Sequence, residues 1–179
     1  EGEASEYIFL VISGVVRSFR SLQDGTRTIA TFYLPTEFFG LTDHPAHLLT
    51  AEAAADANIL FFKRSALFSM AKCESRIANF LLTTTLTELR RTQEQSLLIG
   101  RDAKGRFASF LTDLSKRMRT QTCLDLPMSH QDIADHLGLT IETISRVITQ
   151  LENSGLIARG RSHRDLILSN RHALVRMTK

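Results

Sequence analysis

The segment PMSHQDIADHLGLTIETISRVITQLENSGLI, residues 127–157, sets two short amphipathic patterns on either side of Gly138. Ser129 is placed to cap a first helix, its hydroxyl accepting an orphan N–H of the first turn. Asp132 follows three residues later, an acid where the helix dipole favours one. Ile133, Ala134 and Leu137 then share one apolar face. Gly138 can take the left-handed conformation that ends a helix. Thr140 caps a second, longer helix whose apolar stripe is Ile144, Val147, Ile148 and Leu151. Asn153-Ser154-Gly155 stops it.

The other face of that second helix is polar. Glu142, Ser145 and Arg146 lie at i, i+3 and i+4 and point the same way. Arg can donate twice to O6 and N7 of guanine, Glu can accept from N4 of cytosine, and Ser can meet either kind of base edge. A second helix entering a major groove by its N-terminal part uses such a face. The same pattern also suits a helical hairpin whose charged side meets water. On the groove reading, Ser129, His130, Gln131, Thr140 and Thr143 at the two helix starts approach phosphates.

Beyond Gly155, two short apolar segments, Leu156-Ile157 and Leu166-Ile167-Leu168, flank a turn with Arg159, Gly160, Arg161, Ser162 and His163. This reads as a hairpin wing, whose Arg159 and Arg161 reach phosphates and position the protein without reading sequence. Asn170 to Lys179 reads as a short helix and tail. On the other side, Asp102 caps a helix over Ala103–Arg119 with Phe107, Phe110, Leu111, Leu114 and Met118 as its core stripe. Thr120 to Leu126 reads as a polar loop carrying Cys123. An exposed thiol there is a candidate for redox tuning, since the thiolate is the reactive form, and equally an inert side chain.

The chain has 179 residues and a net charge of +3, unevenly spread. Residues 1–99 hold 9 Lys+Arg against 11 Asp+Glu, and residues 100–179 hold 13 against 8. A basic second half suits phosphate binding, which releases counterions. An apolar share of 43% is enough for real cores. No apolar run is long enough for a membrane helix and no secretory signal is evident, so we expect no membrane partner. Two cysteines supply neither a disulfide framework nor a metal site and fit a reducing cytoplasm. The chain starts at Glu1 within what reads as a folded domain, and we expect a segment before it.

Residues 1–72 read as a strand-rich domain. Tyr7–Ile12 is apolar, Ser13-Gly14 reads as a turn, and Val15–Leu22 alternates. Asp24-Gly25 is a hairpin signal. Thr28–Leu34 is β-branched and aromatic, Pro35–Gly40 reads as a turn, and Asn58–Phe62 is another strand. Short strands with frequent turns suggest an antiparallel sandwich or barrel. His44 and His47 flank Pro45 with no third ligand at cupin spacing, so we read them as surface residues and expect no metal site, no cofactor and no enzyme. Ser65–Ala71 reads as a short helix. A long helix follows, over 73–99. Ile77, Leu81, Thr84 and Arg91 approximate one heptad edge; Phe80, Thr84, Thr87, Arg91, Glu94 and Leu98 approximate the next. Such a stripe packs against an identical helix or on its own domain. Leu98 to Asp102 reads as the hinge to residues 100–179.

Gly138-Leu139-Thr140 followed by Glu142-Thr143-Ile144-Ser145-Arg146 resembles the recognition helix of the CRP/FNR family of bacterial transcription regulators, more narrowly its FNR and FixK branches. Ile141 stands where the CRP branch has another base-reading Arg. The resemblance implies an α+β architecture: an N-terminal antiparallel β-roll of jelly-roll type, like a cyclic-nucleotide-binding domain, a long dimerisation helix, and a C-terminal winged helix-turn-helix. It implies a cytoplasmic homodimer on double-stranded DNA. Arg146 then reads a guanine, Glu142 its partner cytosine and Ser145 a thymine, in a palindrome like TTGAT–N4–ATCAA. It also implies RNA polymerase as a partner, touched near Thr120–Leu126 and near Gln23–Arg27, and activation as the usual outcome. His130 stands where some members have a stronger cation, so its contact would vary with pH.

Nucleotide-binding members carry Phe-Gly-Glu and, about ten residues on, Arg-Ser/Thr-Ala. Here Phe39-Gly40 is followed by Leu41, and Leu49-Thr50-Ala51 puts a leucine at the phosphate position. A buried phosphate with no cation is very costly, so we expect no cyclic nucleotide. The family's iron–sulfur input needs four cysteines, and the residues at hand have two. The alternatives are a member gated by haem, nitrogen oxide or redox state and, more remotely, a cupin-like enzyme.

Overall fold

The computed structural model describes residues 1–23, 25–162 and 164–178. Asp24, of the hairpin signal, and His163, of the wing turn, lie outside the described residues. The chain divides into two compact units, Glu1–Ser96 and Leu97–Lys179. Among the described residues no helix is long and apolar enough to cross a membrane.

The first unit contains β1 (Tyr7–Ser21), β2 (Arg27–Tyr33), β3 (Phe38–Phe39), β4 (Thr50–Lys63), α1 (Arg64–Cys73) and most of α2 (Ser75–Leu98). Its sheet is antiparallel, with β1 pairing β2, β3 and β4. Ile8, Val11, Val15, Val16, Ile29 and Phe32 are buried and form the core of the unit.

Ser13-Gly14 is no chain reversal. It is an irregularity inside one long strand, where the β1–β4 register shifts between Val11 and Val16. Gly14 has φ +78°, and a Cβ there would lie 2.0 Å from the Asp56 carbonyl oxygen. A bulge needs the same residue chemistry as a turn, so the sequence read the one as the other. Likewise Phe38-Phe39, expected within a turn, forms the short strand β3, and β4 begins eight residues before the expected Asn58.

The second unit contains α3 (Ala103–Arg117), β5 (Cys123–Asp125), α4 (His130–Leu137), α5 (Ile141–Asn153), β6 (Ala158–Arg159), β7 (Asp165–Ile167) and α6 (Arg171–Arg176). The loop expected at Thr120–Leu126 contains β5, which joins the wing as a three-stranded antiparallel sheet in the order β5-β7-β6. Leu124, Leu166 and Leu168 are buried, which is why so short a segment is held in the ladder. Asp102 caps α3, accepting from the Gly105 N–H at 2.8 Å. Phe107, Phe110, Leu111 and Leu114 bury the inner side of α3, together with Ile133, Ile144, Leu151 and Leu174 from the other helices.

The long helix turns toward its own sheet much of the side expected for a partner. Leu81 is buried, and Ile77, Thr84, Thr87 and Arg91 are half-buried. Arg91 pairs with Glu37 at 2.6 Å and with Glu88 at 3.2 Å. Phe80 packs edge-on against Phe38, ring centroids 4.9 Å apart. The expected dimer stripe of Ile77, Phe80, Leu81, Thr84, Thr87 and Arg91 is therefore largely the side that meets its own sheet. Leu82, Leu86 and Leu89 are instead exposed, each by more than half. Leu98, the last residue of that stripe, is half-buried and falls in the second unit.

Candidate nucleic-acid interface

Local chemistry builds the helix pair. Ser129 and Asp132 form a reciprocal capping box: the Asp132 N–H donates to the Ser129 hydroxyl at 3.1 Å, and the Ser129 N–H donates to the Asp132 carboxylate at 3.1 Å. The Ser129 hydroxyl also donates to that carboxylate, at 2.9 Å. Both donors of Ser129 are thus used inside the protein. They shape the start of α4. Gly138 ends α4 with φ 63° and ψ 42°, the left-handed geometry that a glycine supplies without strain. Thr140 caps α5 by accepting from the Thr143 N–H at 3.2 Å.

The apolar stripe of α5, Ile144, Val147, Ile148 and Leu151, is buried. Its burial turns Glu142, Ser145 and Arg146 together to solvent on the N-terminal half of the helix. Thr149, which the sequence reading omitted, is exposed one turn beyond Ser145. The Glu142 carboxyl is held below the ordinary carboxylate range, first by its own backbone N–H, then by the Thr140 hydroxyl, and also by the Arg146 charge one turn on. The face therefore presents an anion, a hydroxyl and a cation in fixed order.

The remaining expected phosphate contacts surround this face. His130 and Gln131 are exposed at the start of α4; the Gln131 amide donates to Asp135 at 2.6 Å. Thr140 and Thr143 share a hydroxyl–hydroxyl hydrogen bond of 3.1 Å. Arg159 is exposed but paired with Glu152 at 2.8 Å. Arg161 is exposed in the wing turn, and so is Arg164, which the sequence reading omitted although it belongs to the same basic run. Cys123 is exposed on β5 opposite Ile167.

The first unit has a cavity of about 540 Å³ lined by Phe39, Gly40, Leu41, Leu49, Thr50 and Ala51 among others, and among the described residues no Lys or Arg lines it. His47 also lines it. It is half-buried rather than on the surface, and burial lowers its pKa. Tyr33 and Ser18 close another side. Burial pushes the Tyr33 phenol well above its ordinary value, with Glu88 adding to the shift. Among the described residues no three His, Cys, Asp or Glu side chains gather as a metal site.

Two family models match the chain: a cyclic nucleotide-binding domain over residues 1–72 and a Crp-like helix-turn-helix domain over residues 105–177. The nitrogen fixation regulation protein FixK of Azorhizobium caulinodans is 41% identical, over 99% of this chain and 73% of that protein. FixK of Rhizobium meliloti is 41% identical, over 88% of this chain and 72% of that protein. The solved structure of FixK2 from Bradyrhizobium japonicum superposes with a TM-score of 0.93 at 39% identity, covering 100% of this chain and 90% of that one. These relatives are regulators and not enzymes. A helix-turn-helix with an outward Glu-x-x-Ser-Arg face, in a chain this similar to FixK, belongs to the CRP/FNR family of DNA-binding transcription regulators, in its FixK branch.

Proposed function

We propose that this regulator reads a palindrome of the form TTGAT–N4–ATCAA as a homodimer, without a cyclic nucleotide, and activates transcription in the bacterial cytoplasm by contacting RNA polymerase. The observation that carries the reading is the joint exposure of Glu142, Ser145 and Arg146 on a capped helix whose opposite side is buried. Arg146 donates to guanine, Glu142 accepts from cytosine N4, and Ser145 selects thymine. His130, Gln131, Thr140, Thr143, Arg159 and Arg161 serve the phosphates, with Arg159 leaving Glu152 to do so. The two-fold runs along the exposed Leu82, Leu86 and Leu89 of α2, because an exposed leucine stripe on a long helix is stabilised by a second copy. Independence from cyclic nucleotide rests on Leu41 and Leu49 in a cavity with no Lys or Arg to meet a phosphate.

Binding of the purified, ligand-free protein to that duplex, and to one with the guanines replaced, tests the reading at stated salt. Tight binding to the first alone supports it; equal binding to both sinks the half-site assignment. A ligand-gated member is the second reading, favoured by the cavity in the first unit. It requires that specific binding appear only with an added small molecule.

Two further results are expected. Arg161→Ala weakens every duplex alike and lowers the slope of log affinity against log salt by about 1 per wing, measured by titration across ionic strength. The pH response of Glu142 follows from its depressed pKa. The carboxylate stays ionised from pH 8 to pH 6, so the ratio of wild-type to Glu142→Gln affinity is flat over that window. The advantage of wild type is lost only as pH falls through the lowered value. A ratio that declines between pH 8 and pH 6 contradicts this.

A further inference from the structure

We propose that Arg106 is a positioning residue for DNA reading: its guanidinium ties the connector between α2 and α3 to the C-terminal end of α4, and so sets the attitude of α5. The three nitrogens of the fork donate to three carbonyls on separate pieces of backbone. Nε donates to Arg101 at 3.0 Å, Nη2 to Ile99 at 2.8 Å and Nη1 to Leu137 at 3.1 Å.

Each carbonyl lacks an intrahelical donor for a stated reason. Leu137 is the last residue of α4, and the next two N–H groups, of Gly138 and Leu139, both turn back to the Ala134 carbonyl. Carbonyls at a helix C-terminus are left without helical partners, and a cation there is favoured by the dipole. Ile99 and Arg101 flank Gly100, around which a Cβ would meet nothing within 4 Å. At that glycine the connector is held by hydrogen bonds: the two from Arg106 on either side of it, the Arg101 N–H to the Leu98 carbonyl at 2.9 Å, and the Arg101 guanidinium to the Ser109 hydroxyl at 3.0 Å. A Cβ at Gly138 would lie in ordinary contact with Nη1, at 3.7 Å, so what the glycine supplies is its left-handed φ of +63°. Lysine has the charge but not the planar fork, and cannot hold three carbonyls set at fixed angles.

The consequence for reading rests on the proposed dimer. The connector carries α5 from the two-fold, so its rigidity sets the separation of the two reading helices. The full chain is compared as wild type, Arg106→Met and Arg106→Lys on palindromes with three-, four- and five-base spacers and on a single half-site. Arg106→Met is expected to lose about 3- to 30-fold on the four-base palindrome and to narrow the preference among spacers by a similar factor, with half-site affinity nearly unchanged. Arg106→Lys is expected to behave like Arg106→Met. Unchanged spacer preference in Arg106→Met, or full rescue by lysine, overturns the proposal. Should the methionine variant fail to fold, the lysine variant alone carries the comparison.

Hydrogen exchange on the same proteins separates this idea from the palindrome reading. If wild type shows no spacer preference, that reading fails. Arg106 is then judged by whether exchange rises together at residues 99–102 and 138–140 in the variant. A joint rise supports the tie, and unchanged exchange at both segments overturns it.

Discussion

Arg146→Ala is expected to abolish discrimination at one guanine in each half-site while leaving the protein folded. Arg146 is exposed on α5 and contributes nothing to the buried stripe of Ile144, Val147, Ile148 and Leu151. Its loss therefore leaves thermal stability within about 0.5 kcal/mol, the usual range for a surface substitution. A bidentate arginine–guanine contact is worth roughly 1–3 kcal/mol of discrimination, so the two half-sites together lose about 2–6 kcal/mol. The measurement is the affinity of wild type and variant for the proposed palindrome and for duplexes with each half-site base changed in turn. Wild type should be sensitive at the guanine and the variant indifferent there, with both equally sensitive at the thymine assigned to Ser145. A uniform loss at every sequence would mean that Arg146 meets phosphate, and the base assignment would fall. Arg161→Ala is the internal control, since a phosphate contact carries no sequence information.

The second large effect is expected on the long helix, where two substitutions one residue apart in sequence should act on different quantities. Leu82→Glu together with Leu89→Glu places carboxylates on the exposed leucine side of α2. Desolvating an unpaired carboxylate in an apolar interface costs several kcal/mol, so the proposed dimer is expected to dissociate to monomer at micromolar concentration in sedimentation velocity. Palindrome binding falls with it, because the second half-site no longer benefits from the first. Leu81→Ala acts instead on the fold. Leu81 is buried, and removing a buried leucine side chain costs about 2–5 kcal/mol of stability. That variant should melt earlier yet remain dimeric. The reverse outcome, with Leu81→Ala dissociating the dimer and the glutamates leaving it intact, would restore the Leu81 side as the interface.

These two helices also mark where sequence suffices. The helix-turn-helix was legible because its determinants are local. Ser129 and Asp132 cap one helix across three residues, Gly138 ends it, Thr140 starts the next, and one apolar stripe per helix leaves no choice of face. Once Ile144, Val147 and Leu151 are buried, the outward direction of Glu142, Ser145 and Arg146 follows from helical periodicity alone. The departures at Leu41 and Leu49 were equally legible, since they are substitutions within a short cassette.

Tertiary structure decided what depends on partners distant in the chain. The long helix carries apolar residues on more than one side, and only its packing selects Leu81 and Arg91 for the sheet, through Glu37, 54 residues away, while Leu82, Leu86 and Leu89 stay outside. Gly14 is a bulge and not a turn because β4 returns alongside it and brings the Asp56 carbonyl against it. Nothing local in the sequence marks the role of Arg106. Its three carbonyl acceptors come together only when Leu137, 31 residues later, packs back beside the start of that helix. Backbone carbonyls carry no sequence signature, so a side chain that serves them is visible only in the folded chain.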